Sequence, residues 1–185
     1  MRILFLTNNT NTENLYKWLT KDNKVTLSHN LNFEGEYDLI VSYNFKHIIP
    51  AKTIRKYKGK IVNLHISYLP WGRGVSPLFW AVVSKEPIGV TIHFIDEGID
   101  TGDIIVQKRV CIFDNATMRD MYDILQEEIQ DLFKKNFLHI KNLVGSYHSK
   151  ADFESIKHIL EPEGWDITID ELRRRYDSYN TSTRR

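Results

Sequence analysis

The sequence predicts an α/β domain with a mainly parallel sheet flanked by helices, and two observations carry that expectation. Short apolar runs alternate along the chain with segments whose apolar residues recur at helical spacing. One run, Ile61-Val62-Asn63-Leu64-His65-Ile66-Ser67, alternates apolar and polar residues. A strand buried on both faces needs no polar side, so this one is expected to border a site.

The elements follow in order. Arg2 to Thr7 reads as a buried strand, Thr12 to Lys21 as a helix, Val25 to His29 as a strand and Asp38 to Tyr43 as a further buried strand. Pro50 opens a short helical segment and Lys60 to Ser67 is the alternating strand. Ser76 is expected to cap a helix with Pro77 at its first position, running through Trp80 and Val83. Gly89 to Ile95 and Ile104 to Ile112 read as strands separated by an acidic loop. From Thr117 to Val144, Met118, Met121, Tyr122, Leu125, Ile129, Leu132, Phe133 and Ile140 fall at helical spacing and are expected in the core, with Thr117 and Asp120 as a capping pair.

A chain of 185 residues with 42% hydrophobic content buries a substantial core as one domain. A net charge of +1 gives no general drive toward nucleic acid or an anionic membrane. No stretch is long and apolar enough to span a bilayer, and no signal-peptide pattern follows Met1. Cys111 lies in an apolar run, so it is expected to be a buried core residue in a reducing compartment; the expected location is the cytoplasm.

In the alternating strand Asn63, His65 and Ser67 share one face and Val62, Leu64 and Ile66 the other; in Gly89 to Ile95, Thr91 and His93 share a face. Asp96-Glu97-Gly98-Ile99-Asp100-Thr101-Gly102-Asp103 follows, its glycines letting the backbone bring a carboxylate back over the sheet. An Asn, a His and an Asp meeting there suit acyl-type transfer to an amine: the histidine moves a proton, the carboxylate orients it and the amide donates to an oxyanion. No Gly-x-Ser-x-Gly elbow marks a serine nucleophile, so direct attack by a substrate amine is the expected route.

Asn63-Leu64-His65-Ile66-Ser67-Tyr68-Leu69-Pro70, Arg73-Gly74, Gly89-Val90-Thr91-Ile92-His93 and Asp100-Thr101-Gly102-Asp103-Ile104-Ile105 together resemble the signature of the folate-dependent formyltransferases, in register from about Leu39 to Val110. The resemblance implies a Rossmann-like single domain over residues 1–150, with 151–185 as a short extension that packs on it or is partly flexible. It implies Asn63, His65 and Asp100 as the catalytic set and 10-formyltetrahydrofolate as co-substrate. The folate would lie between Phe45, Lys46, His47 and Ile48 on one side and Asp96, Glu97, Gly98 and Ile99 on the other. Asn8, Asn9, Ser67, Arg73 and Gly74 are assigned to the acceptor. No metal, nucleic acid or membrane partner is implied, and a homodimer is left open.

Among members, glycinamide ribonucleotide formyltransferase has a glycine-rich turn after its first strand, where this chain has Thr7-Asn8-Asn9-Thr10-Asn11-Thr12. The segment after Val144 is too short for the further domain of methionyl-tRNA formyltransferase. The chain is most similar to compact sugar-nucleotide N-formyltransferases of the kind used in lipopolysaccharide O-antigen biosynthesis. Their acceptor is an amino-deoxysugar on a nucleoside diphosphate, for which Trp71, Trp80 and Trp165 offer stacking surfaces. Glycinamide ribonucleotide remains an alternative acceptor, and a formyltetrahydrofolate hydrolase or a non-catalytic folate- or nucleotide-binding module the alternative classes. Arg173-Arg174-Arg175 and Arg184-Arg185 read as a solvated helix and tail.

Overall fold

The computed structural model describes residues 1–111, 113, 115–144 and 165–182. A six-stranded sheet in the order β2-β1-β3-β4-β5-β6 forms its centre. Its strands are β1 (Arg2–Leu6), β2 (Lys24–Ser28), β3 (Leu39–Tyr43), β4 (Ile61–His65), β5 (Gly89–Phe94) and β6 (Ile104–Arg109). β2, β1, β3 and β4 run parallel; β5 is antiparallel to both β4 and β6. The mainly parallel α/β fold expected from the sequence is therefore present, with a reversal at β5.

Alternation along the strands sorts the apolar residues into two layers. Ile3, Phe5, Leu39, Val41, Val62, Leu64, Val90 and Ile92 face the larger core, covered by α1 (Glu13–Thr20), α3 (Pro77–Val83) and α4 (Met118–Leu143). Leu4, Leu6, Ile40 and Ile61 face a smaller core with Tyr37, Ile49 and Tyr57, beside α2 (Ala51–Lys56). Helix α5 (Ile169–Ser182) docks on the larger layer through Ile169 and Leu172. A bridge between Thr117 and Thr168 ties its start to the head of α4.

Most element ends agree with the sequence reading, and the differences have local causes. Thr117 and Asp120 form the expected reciprocal cap of α4. Ser76 sits at the cap position of α3 but in the left-handed region, φ 54°, and makes no side-chain cap bond. Cys111 is exposed rather than core. β6 is the edge strand and stops at Arg109, so Cys111 lies past the ladder, where no second layer covers it. Residue 112 of the expected last strand, the segment 145–164 and Arg184-Arg185 lie outside the described residues. Arg174 pairs with Asp170, Arg175 with Glu171, and Arg173 Nε donates to Val82 O, so this arginine run serves its own helix and α3. No helix among the described residues is long and apolar enough to cross a membrane.

Candidate active site

The small-core face runs out of apolar cover toward the middle of β3, β4 and β5. Cross-strand register there places Ser42 beside Asn63 and Asn63 beside His93, with His65 opposite Thr91. Residues paired across a ladder share a face, so these side chains form one polar row. The loop after β5 folds over it. Phe94 N–H donates to Asp103 O and Ile95 N–H to Ile61 O, both at 2.9 Å, which pins the excursion to the sheet at both ends.

The loop glycines act differently from the expectation. The residue in the left-handed region is Asp100 itself, φ 50°, while neither Gly98 nor Gly102 has a positive φ. Gly102 is needed for close approach: a Cβ there would stand 1.9 Å from Phe94 O. A non-glycine residue held in this region costs of order 1 kcal/mol, tolerated where surroundings fix it.

Those surroundings are specific. Asp100 Oδ2 accepts from Gly74 N–H at 2.9 Å and lies 3.7 Å from His65 Nε2; Oδ1 accepts from Asn63 Nδ2 at 3.3 Å and lies 3.5 Å from His93 Nε2. Asn63 Nδ2 is also 3.2 Å from His93 Nε2. Burial pushes the Asp100 carboxyl up, but the His65 and His93 imidazoles and the Gly74 N–H outweigh it and hold the group well below the usual carboxylate range. Asp100 is therefore ionised. His65 Nε2 donates to Gly72 O at 2.8 Å, which leaves Nδ1 as its basic nitrogen in the neutral form.

Two clefts meet at this cluster. One, of about 470 Å³, is lined by Phe45, Lys46, His47 and Ile48 and by Asp96, Glu97, Gly98 and Ile99, all eight of the residues assigned to the folate. The other, of about 380 Å³, is walled by Leu64, Val75, Phe79, Met118, Tyr122 and Trp165. Asn63, Asp100, Phe45, Gly74 and Val75 line both.

The residues assigned to the acceptor divide. Gly74 lines both clefts, whereas Asn8, Asn9, Ser67 and Arg73 line neither. Asn8 ties His29 O to Lys46 N–H, and Asn9 caps the turn Thr10–Thr12 and donates to Tyr122 OH. Ser67 donates to Trp71 O, and Arg73 is buried. Of the three tryptophans only Trp165 reaches a cleft; Trp71 stacks on Tyr68 and Trp80 is core. Sequence reasoning missed Tyr122 as a wall, having placed it in the core, and missed His93 as a partner of Asp100, although its shared face with Thr91 was legible. Among the described residues no group of three His, Cys, Asp or Glu side chains could hold a metal ion.

The chain is similar to known proteins. The formyltransferase PseJ from Anoxybacillus kamchatkensis, solved in complex with UDP-4,6-dideoxy-4-formamido-L-AltNAc and tetrahydrofolate, is 30% identical with a TM-score of 0.80, over 93% of this chain and 97% of that one. An N-formyltransferase from Helicobacter canadensis, solved with folinic acid and dTDP-3-aminofucose, is 25% identical with a TM-score of 0.65, over 81% of this chain and 67% of that one. Methionyl-tRNA formyltransferase of Clostridium perfringens is 33% identical over 123 residues, 66% of this chain. The chain spans 39% of the length of that relative. Residues 1–135 match the formyl transferase family model, and on that match the protein belongs to the formyl transferase family.

Proposed function

We propose that the protein transfers a formyl group from 10-formyltetrahydrofolate to the primary amine of a small acceptor, an amino-deoxysugar linked to a nucleoside diphosphate. The observation that carries this reading is the meeting of two clefts at Asn63 and Asp100, which gives donor and acceptor separate walls and a common point of contact.

The larger cleft suits a folate. Ile48, Ile49, Ile54, Ile95 and Ile99 offer apolar walls, and Asp96 Oδ2 is buried with no hydrogen-bond partner, an acceptor suited to the N–H groups of a pterin edge. Bound there, the folate supplies an activated formyl carbonyl. The chain's residues do the rest. Asn63 Nδ2 donates to oxygen as negative charge develops, and His65 takes a proton from the attacking amine at Nδ1. The imidazolium so formed faces the ionised Asp100 across 3.7 Å. As the bond between the formyl carbon and N10 breaks, the proton is returned to N10, so that tetrahydrofolate and the N-formylated acceptor leave and the site is restored.

The smaller cleft has no lysine or arginine among its described lining residues and is walled by aliphatic and aromatic side chains. A sugar ring that has lost hydroxyls fits such walls better than a phosphate, which would lie toward the mouth. The test is incubation with 10-formyltetrahydrofolate and, in parallel, a panel of amino-sugar nucleotides, glycinamide ribonucleotide, or water alone. An amino-sugar nucleotide heavier by one formyl group is expected. Formylated glycinamide ribonucleotide would replace the acceptor, and formate without any acceptor dependence would replace transfer by hydrolysis.

A further inference from the structure

The polar row that holds His65 continues to the edge of the sheet. Thr91 stands opposite His65 on β5 and Gln107 stands opposite Thr91 on β6, so the three side chains share one face. Neither Thr91 nor Gln107 lines a cleft. Their hydrogen bonds go instead to the loop that follows β4. The buried Thr91 hydroxyl donates to Ser67 O at 2.7 Å and accepts from Leu69 N–H at 3.1 Å and from Gln107 Nε2 at 3.2 Å, which uses its one hydrogen and both lone pairs. Gln107 Nε2 also donates to Leu69 O, at 2.7 Å.

We propose that Gln107, acting with Thr91, is a positioning residue: by fastening the loop at Leu69 it holds Gly72 O against His65 and Gly74 N–H against Asp100. Both of those backbone groups lie on the stretch just past Leu69, Gly72 O accepting from His65 Nε2 at 2.8 Å and Gly74 N–H donating to Asp100 Oδ2 at 2.9 Å. The stretch does not hold its own shape. Gly72 and Gly74 have φ of 67° and 84°, a region that glycine enters and leaves at little cost, so the loop is fixed by what it is tied to. An amide suits the tie. The Thr91 hydrogen is committed to Ser67 O, so the hydroxyl has none to give the Leu69 carbonyl, and Gln107 Nε2 carries two, one for that carbonyl and one for the hydroxyl.

Hydrogen exchange of the ligand-free protein, followed amide by amide by NMR, tests this directly. Gln107→Met fills a similar space without a donor, so Gly74 N–H, which Gln107 does not touch, should exchange ~3- to 10-fold faster while the amides of β1 and β3 keep their wild-type rates. Gln107→Glu has the same shape but only accepts when ionised; it should behave as Gln107→Met does, and it carries the test where Gln107→Met does not fold. Gln107→Lys, whose ammonium donates, should keep Gly74 protected. Unchanged exchange at Gly74 in the folded donor-less variants, equal acceleration across the sheet, or loss of protection in Gln107→Lys overturns the proposal. The consequence for turnover rests on the proposed function. Gln107→Met should lower kcat ~10- to 100-fold, the cost of a small misplacement at the reacting groups, with the KM of folate and of acceptor each within about 3-fold of wild type. Raised KM values with kcat intact overturn it. A protein that transfers no formyl group at all would remove the proposed function, and the exchange rates would then decide the role of Gln107 by themselves.

Discussion

The two clefts that meet at Asp100 are built on different principles. The larger draws on two short stretches of contiguous sequence, 45–49 and 95–101, with Ser42, Ile54, Asn63, Gly74, Val75 and His93. The smaller is closed by side chains from distant elements: Phe79 on α3, Met118 and Tyr122 on α4, and Trp165 just before α5. Trp165 lies beyond the 1–135 segment matched by the family model, and it meets Tyr122 edge-on at 5.1 Å. The first wall is set by local backbone in two loops; the second depends on how two helices and the segment before α5 pack together.

Substitution at the shared point should ignore the distinction. Asp100→Asn keeps the shape and removes the charge, so turnover with either ligand saturating should fall by roughly 100- to 10,000-fold, the range for losing a group that supports proton transfer. A small loss would move the chemistry elsewhere. The same variant has a thermodynamic signature. Because the folded-state pKa of Asp100 lies below its unfolded value, the unfolded chain takes up the proton first as pH falls. Its contribution to stability is complete above about pH 5 and is lost below, down through the folded value. Urea midpoints of wild type and Asp100→Asn should therefore differ by a constant amount above that pH and converge below it.

Asp96→Asn acts on the larger cleft alone. It replaces an acceptor-only oxygen pair with a group that also donates, and removes a charge-assisted bond worth about 1.5–3 kcal/mol, so folate affinity should fall ~10- to 100-fold with turnover at saturation little changed. Loss of turnover with affinity intact would exchange the roles of Asp96 and Asp100. Trp165→Ala should give the smallest effect, on the other side: about 0.5–1.5 kcal/mol of ring contact, read as a ~2- to 10-fold rise in acceptor KM with folate affinity unchanged. Equal effects on both ligands would mean that the two clefts are not separate.

What the sequence made legible follows the same division. Strand alternation placed Asn63 and His65 on one face because a period of two leaves no other choice, and the two stretches that line the larger cleft could be grouped because each is continuous. Tyr122 was assigned to the core because a wall residue on an amphipathic helix has the same spacing as a core residue. Asn8 and Asn9 have the polarity of ligand-binding residues, and their hydrogen bonds go to His29, Lys46, Asn11 and Tyr122 instead, which no local pattern encodes. Cys111 was misplaced because an apolar run at a sheet edge looks the same as one in the centre. The strained residue of the loop after β5 was assigned to glycine by propensity, and tertiary bonds put it at Asp100.

The wall formed by Asn63, Gly74, Val75, Phe45 and Asp100 belongs to both clefts, so neither ligand can arrive without resurfacing the other's compartment. On the proposed function, direct transfer has both substrates bound together before any product leaves, and double-reciprocal plots at several fixed folate concentrations should intersect rather than run parallel. Whatever factor the first ligand contributes to the affinity of the second must be returned equally in the opposite order.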